Sequence, residues 1–239
     1  MIPGSWLDLE LGGESIGKAQ GRGAEVSGRL EKGTLLPEKG PGFVRLGGAA
    51  VNWGAGHLVS LLMRASEALN QRDSRSVIHI GGISHREGGR FQPHKSHQNG
   101  LDADILFVGR SRWGSVLNSS QKVTERFDLE KNWEFWRLLV SQRIGTDEDS
   151  ESVVAMILVS PAIKDRLCQW AREKNVLDDE LNRDVMRRIR PTSGHDGHFH
   201  LRLHCSPFHK KCVRTKVLLA AGDGCQKKRI RRGAVQARS

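Results

Sequence analysis

The chain has 239 residues, and its 38 Lys and Arg against 27 Asp and Glu leave a formal net charge of +11. This length fits one domain, with or without appendages, while 37% hydrophobic and 27% charged residues exclude a disordered or fibrous protein. No stretch approaches the roughly 20 apolar residues of a membrane-spanning helix, so we expect no membrane span. The positive charge favours a polyanionic partner, whether nucleic acid, anionic lipid or an anionic cell-wall polymer.

The two ends of the chain differ in composition from its middle. Glycine is frequent from Gly12 to Gly48, which predicts a long, mostly irregular N-terminal arm over residues 1–48. The first residues lack a charged segment followed by an apolar one, so no signal peptide is visible. Residues 226–239 carry six cations, no acid and little apolar surface, which predicts a basic, flexible tail. Without that tail the rest of the chain is only moderately basic, and we do not expect a nucleic-acid partner.

The segments between these ends alternate between helical and extended patterns. Apolar residues at helical spacing predict helices over 58–69, 128–140, 160–174 and 179–189, with Asp128 and Ser160 as N-caps. Extended patterns predict strands over 77–80, 102–108, 153–159 and 198–203, and a loop rich in glycine and histidine over 84–100. Strands and helices do not alternate regularly. We therefore expect an α+β fold, a small, mainly antiparallel sheet with flanking helices packed on one side, rather than a doubly wound parallel sheet.

The four cysteines, Cys168, Cys205, Cys212 and Cys225, all lie in the last third of the chain. Neither Cys205 nor Cys212 belongs to a C-x2-C pair, which argues against a structural zinc ribbon. An even, clustered set indicates an oxidising compartment, but buried free thiols remain an alternative. Four cysteines allow three pairings, and spacing alone does not choose among them.

Histidine and aspartate cluster in two short segments. The first contains His94, His97, Asp102 and Asp104; the second, on a predicted strand, contains His195, His198 and His200. Imidazole and carboxylate are ligands that suit zinc, and a catalytic zinc site uses three protein ligands and a water. Because successive side chains of a strand point to opposite faces, His198 and His200 share one face of their predicted strand, and Asp102 and Asp104 share one face of theirs. Geometry alone leaves open which aspartate binds, and each short motif by itself also fits surface or turn residues.

These segments, HQNGLDAD at residues 97–104 and GHDGHFHLR at residues 194–202, resemble the penicillin-insensitive murein endopeptidases, which are zinc peptidases of the lysostaphin and D-Ala-D-Ala peptidase group. The resemblance extends through SIG at 15–17, GPGF at 40–43, NWG at 52–54, SPAIK at 160–164 and GDGC at 222–225. It thus covers about residues 14–225 and implies a zinc peptidase domain over 49–225.

The resemblance implies roles for individual residues. It makes His97, Asp104 and His200 the zinc ligands, and His198 and His195 the catalytic histidines. His94 matches a position sometimes treated as an additional metal contact, although we favour a role beside the ligands or toward substrate. Asp128 lies where relatives hold a second metal, although its position favours a helix cap. The cysteines would pair as Cys205–Cys212 and Cys168–Cys225.

The implied activity is hydrolysis of the D-alanyl–meso-diaminopimelate peptide cross-link of peptidoglycan, with the protein periplasmic or otherwise exported. His198 would accept a proton from the attacking water and His195 would stabilise the oxyanion, or the two roles would be exchanged. Asp102 and Asp196 are candidates for orienting imidazoles, and Arg86, Arg90 and Arg202 for binding substrate carboxylates. A D,D-carboxypeptidase, an endolysin-like wall hydrolase or a non-catalytic wall-binding module remain alternatives.

Overall fold

A computed structural model describes residues 11–19, 28–144 and 150–225. Its helices are α1 (Gly56–Arg72), α2 (Leu129–Val140), α3 (Pro161–Glu173) and α4 (Glu180–Arg188), with short 3-10 turns at Ala49–Val51 and Val176–Asp178. The strands before α2 are β1 (Glu14–Ile16), β2 (Arg29–Glu31), β3 (Thr34–Leu35), β4 (Lys39–Gly40), β5 (Phe43–Arg45), β6 (Trp53–Gly54), β7 (Ile78–Ile80) and β8 (Asp102–Leu106). Those after it are β9 (Arg143–Ile144), β10 (Glu151–Ser152), β11 (Val154–Val159), β12 (Ile189–Pro191) and β13 (His198–Leu203).

The main sheet is larger than the sequence predicted. It has seven strands in the order β12-β11-β13-β8-β7-β5-β4, and it is mixed because β11/β12 and β5/β7 are parallel. The α+β class is confirmed, but the prediction of a small sheet is wrong. The added strands β4, β5 and β12 are only two or three residues long, too short to show a period-two pattern.

The predicted helix starts are confirmed by their caps. The side chain of Asp128 accepts a hydrogen bond from the backbone N–H of Lys131 at 3.0 Å. Ser160 caps α3 in the same way, ahead of Pro161 in the first turn, where proline loses no hydrogen bond. These caps satisfy backbone donors that have no partner inside the helix.

The interior strand β13 separates the core from a polar face. Phe199 points to one side and packs edge-on against Trp136 of α2, with ring centroids 5.6 Å apart. His198 and His200 alternate with it and point to the other side. The fully buried Trp136 and Phe199 show that the α2 side is the hydrophobic core. The polar residues of β13 are therefore carried on a strand held rigid by the packing behind it.

Two disulfides, Cys168–Cys225 and Cys205–Cys212, join the cysteines in the pairing that the resemblance implies. Cys168 lies on α3, and the bridge attaches the end of the described chain to that helix. The loop closed by Cys205 and Cys212 holds the N-terminal segment, because the backbone N–H of Gly17 donates to the carbonyl of Lys211 at 3.0 Å.

The predicted basic tail, residues 226–239, lies outside the described residues, and the division of the chain at residues 48 and 225 stays a prediction. The described part of the predicted arm contains β1 to β5, two of which join the main sheet. None of the helices in the described ranges has the length and apolar character needed to cross a membrane.

Candidate active site

The pairing of β8 with β13 brings the two sequence motifs together. In this antiparallel register Asp104 lies directly opposite His200, and Asp102 opposite Arg202. Directly opposed side chains on one face have Cβ atoms about 5 Å apart. As a result the Nδ1 atom of His200 lies 3.0 Å from Oδ1 of Asp104, although 96 positions separate them in sequence.

His97 reaches the same carboxylate from the glycine-rich loop. Its backbone has a φ of 64°, a left-handed conformation that is unusual for a residue other than glycine. Its Nδ1 lies 2.8 Å from the carbonyl oxygen of Ile83 and donates to it, so Nε2 keeps its lone pair. That Nε2 atom is buried without a hydrogen-bond partner and lies 3.4 Å from Oδ1 of Asp104.

Three further histidines surround this carboxylate. Nε2 of His198 lies 3.6 Å from Oδ1 of Asp104, and Nδ1 of His94 lies 3.7 Å from Oδ2. The ring of His195 lies 5.2 Å from that of His198 and 6.0 Å from that of His200, centroid to centroid. The structure therefore gathers all six predicted site residues at one place.

Asp102 lies behind the site rather than in it. Its Oδ1 accepts from Nε2 of His200 at 2.7 Å and from Nε of Arg202 at 2.6 Å, and its Oδ2 accepts from the backbone N–H of His97 at 3.2 Å. Asp102 thus orients two of the predicted ligands, as second partners of metal-bound histidines commonly do.

The predicted carboxylate-binding role of Arg202 is wrong for this conformation, because Arg202 is only 4% exposed and donates to Asp102. Arg86 lies over the ring of Trp53, 5.3 Å from its centroid. The Asp196 backbone carbonyl accepts from the N–H of Val116, and its carboxylate makes no hydrogen bond to a histidine within the described ranges.

Burial and the contacts within the site shift the pKa values of several of its histidines and of Asp104. Burial disfavours a charged His200, but its hydrogen bonds to Asp102 and Asp104 outweigh this and raise the pKa of His200 to about 9. At Asp104, the adjacent imidazoles of His200 and His97 outweigh burial and hold the pKa of its carboxyl well below the usual value. For His198, burial lowers the pKa to about 4, and the pKa of His195 is also lowered by burial. Both histidines are therefore neutral at pH 7.

The donor atoms fit a zinc ion. Tetrahedral zinc with bonds of about 2.1 Å keeps its ligand atoms about 3.4 Å apart. The distances from Oδ1 of Asp104 are 3.4 Å to His97 and 3.0 Å to His200. His94, His97 and Asp104 form a close group, whose ligand atoms lie within 4.8 Å of one another. The unpartnered lone pair of His97, the buried carboxylate and the nitrogen-rich donor set all suit this ion.

Two aromatic residues beside the site were missed by the sequence reasoning. Phe91 stacks on His97, with centroids 5.1 Å apart and planes at 22°, and Trp113 places its ring 5.3 Å from His198. Neither belongs to a recognisable motif, so only the fold shows the contacts. Asp128, weighed as a ligand for a second metal, is a helix cap instead. The His94, His97 and Asp104 group is the single close cluster of three or more potential ligands among the described residues.

Comparisons with known proteins identify the family of this chain. The family model described as penicillin-insensitive murein endopeptidase, Peptidase M74, matches residues 22–236. The penicillin-insensitive murein endopeptidase of Haemophilus influenzae is 32% identical over 220 residues, covering 87% of this chain and 71% of that protein. That of Klebsiella pneumoniae subsp. pneumoniae is 33% identical over 216 residues, covering 87% and 74%. This chain belongs to the penicillin-insensitive murein endopeptidases, a family of zinc metallopeptidases that cleave peptidoglycan cross-links.

Proposed function

We propose that the cluster around Asp104 is the catalytic centre of this peptidase and that it hydrolyses the D-alanyl–meso-diaminopimelate bond of peptidoglycan cross-links. The observation that carries this proposal is the convergence of His97 and His200 on Oδ1 of Asp104, at 3.4 and 3.0 Å. Two further histidines, His195 and His198, lie beside them. The bridged cysteines support an exported, periplasmic location.

The zinc would be held by Nε2 of His97, Oδ1 of Asp104 and Nδ1 of His200. The two histidines among them each have a fixed partner: the carbonyl of Ile83 contacts His97, and Asp102 contacts His200. His94 is 36% exposed at its side chain and lies slightly farther from Asp104, at 3.7 Å. We assign it to the mouth of the site, where it serves as an additional contact to metal or substrate. When bound, zinc activates water for attack and polarises the peptide carbonyl.

The neutral histidines supply the proton transfers. His198 lies on the rigid strand β13 with Nε2 toward Asp104, so it is placed to accept the proton of the attacking water and pass it to the leaving amine. His195 lies on the preceding loop, and its Nδ1 donates to the carbonyl of Ser193 at 3.0 Å. Its ring is held beside the site, where it would stabilise negative charge on the peptide oxygen after taking up a proton from the solvent. A purely structural or wall-binding zinc site needs neither group.

Digestion of purified diaminopimelate-type peptidoglycan, followed by mass spectrometry, tests the function. Cross-linked dimers should become monomers with wild-type protein and zinc, and His97→Ala should leave the dimers intact. His209→Ala, on the Cys205–Cys212 loop beyond the end of β13, is the matched control and should retain activity. Unchanged dimers with zinc-loaded wild-type protein would contradict the proposal. Release of D-alanine from monomeric pentapeptides, without loss of dimers, would show that the protein is a D,D-carboxypeptidase instead.

A further inference from the structure

Trp113 is the most exposed tryptophan in the described part of the chain. Its relative exposure is 52%, whereas Trp133, Trp136 and Trp170 are each exposed by 9% or less. A single exposed apolar residue is ordinary on a protein surface. Trp113 differs because its ring lies edge-on to His198, with centroids 5.3 Å apart and planes at 77°.

Glycines hold the indole and its loop in place. A Cβ at Gly81 would lie 2.7 Å from Cζ2 of Trp113, so the absence of a side chain there makes room for the ring. Gly81 in turn donates its N–H to the backbone carbonyl of Asp104 at 2.7 Å. One edge of the indole is thus packed against the backbone that carries the metal-site carboxylate.

The residues after Trp113 are attached to the second histidine motif. A Cβ at Gly197 would lie 2.9 Å from the carbonyl oxygen of Gly114, and the N–H of Val116 donates to the carbonyl of Asp196 at 2.8 Å. The loop therefore packs directly on the segment between His195 and His198. Trp113 has a defined position beside the reacting groups while much of its ring stays in contact with water.

We propose that Trp113 is a substrate-binding residue, and that its exposed indole surface receives the aliphatic part of the stem peptide next to the scissile bond. This inference rests on the proposed function. A cross-link offers methyl and methylene groups on both sides of that bond, and a rigid indole binds such groups by burying apolar area at little entropic cost. Covering the ring would also remove water from the side of His198 that it contacts.

The test compares Trp113→Ala and Trp113→Phe with wild type on soluble cross-linked muropeptide dimers. We expect Trp113→Ala to raise KM about tenfold with kcat within about threefold, because the lost contact is made before and during the reaction. Trp113→Phe should retain most of the affinity. The dissociation constant of the monomer product, measured without turnover, should rise in parallel. Phe208→Ala is the matched control, since Phe208 is 64% exposed but lies on the Cys205–Cys212 loop.

Each other result would overturn the proposal. An unchanged KM and product affinity would exclude a substrate contact, and a fall in kcat alone would show that Trp113 only positions His198. Measuring the same kinetic constants on cross-linked peptides without their sugars distinguishes binding of the peptide from binding of the glycan. A KM effect that disappears without sugars would assign the indole to the glycan and contradict the peptide contact. Inactive wild-type protein would count against the proposed function, whereas active wild type with an unaffected Trp113→Ala counts against this inference alone.

Discussion

Nε2 of His200 lies 2.7 Å from Oδ1 of Asp102, with both side chains almost completely buried. This contact turns the other ring nitrogen, Nδ1, toward Asp104. A carboxylate in this position fixes the tautomer of a ligating imidazole and increases its basicity. In the proposed metal centre, Asp102 would therefore act on the metal through His200.

The first prediction concerns this contact. Asp102→Asn should lower zinc affinity by about 10- to 100-fold, because the amide binds the His200 ring more weakly and leaves it free to turn. Competition with a chromogenic chelator would measure the change. Asp196→Asn is the matched control, four residues from His200 and without a side-chain hydrogen bond to a histidine in the described ranges. Equal affinities for Asp102→Asn and wild type would contradict the orienting role.

The two disulfides should contribute unequally to stability. Cys168 and Cys225 are 57 positions apart, whereas Cys205 and Cys212 are 7 apart. Since a longer closed loop restricts the unfolded chain more, replacing the first pair by serine should cost about 4 kcal/mol and the second about 2.5 kcal/mol. Denaturant unfolding under non-reducing conditions gives both values. A larger loss from the Cys205–Cys212 pair would show that its native contacts outweigh the entropy of the unfolded chain.

Burial of Lys164 should make the free energy of unfolding depend on pH above pH 7. It is 7% exposed, its Nζ donates to the carbonyl of Met186 at 2.6 Å, and burial lowers its pKa to about 7. In the unfolded chain a lysine titrates near pH 10.4. Between these values the unfolded chain carries a proton that the folded chain lacks, so the free energy of unfolding rises with pH.

Unfolding measurements from pH 7 to pH 10 would test this contribution. The slope due to Lys164 is at most about 1.4 kcal/mol per pH unit, and it should disappear in Lys164→Met. Lys174→Met, at an exposed position just after the same helix, should leave the slope unchanged. A Lys164→Met variant with the wild-type slope would show that the buried amine does not titrate in this window.

Asp128 should behave as a helix cap and not as a metal ligand. Asp128→Ala should lower the free energy of unfolding by about 1 kcal/mol, because the N–H of Lys131 loses its acceptor. Zinc content should not change, and Asp179→Ala, which removes the matching cap of α4, should give a similar loss. A decrease in bound zinc per chain for Asp128→Ala alone would instead identify a second metal site.

Local sequence was sufficient wherever a structure depends on neighbours in the chain. The cap at Asp128, the proline after Ser160 and the apolar spacing of α1 depend on contacts within one helix and the face that it buries, so those elements were predicted. The short strands β5 and β12 were missed because their extended conformation depends on pairing with β7 and β11, which are distant in sequence, rather than on their own composition. That pairing made the sheet larger than expected.

The same distinction between sequence and tertiary structure applies to the candidate active site. The sequence by itself determined which residues are proposed to carry the chemistry, since the two histidine motifs and their resemblance to a family name His94, His97, Asp104, His195, His198 and His200. Only the tertiary structure decided that Asp102 supports His200, that Arg202 is bound to Asp102, and that Phe91 and Trp113 border the site. The physical reason is the register of the two strands. His200 and Asp104 are 96 positions apart in sequence, and they lie opposite each other only because β8 and β13 are hydrogen-bonded to one another.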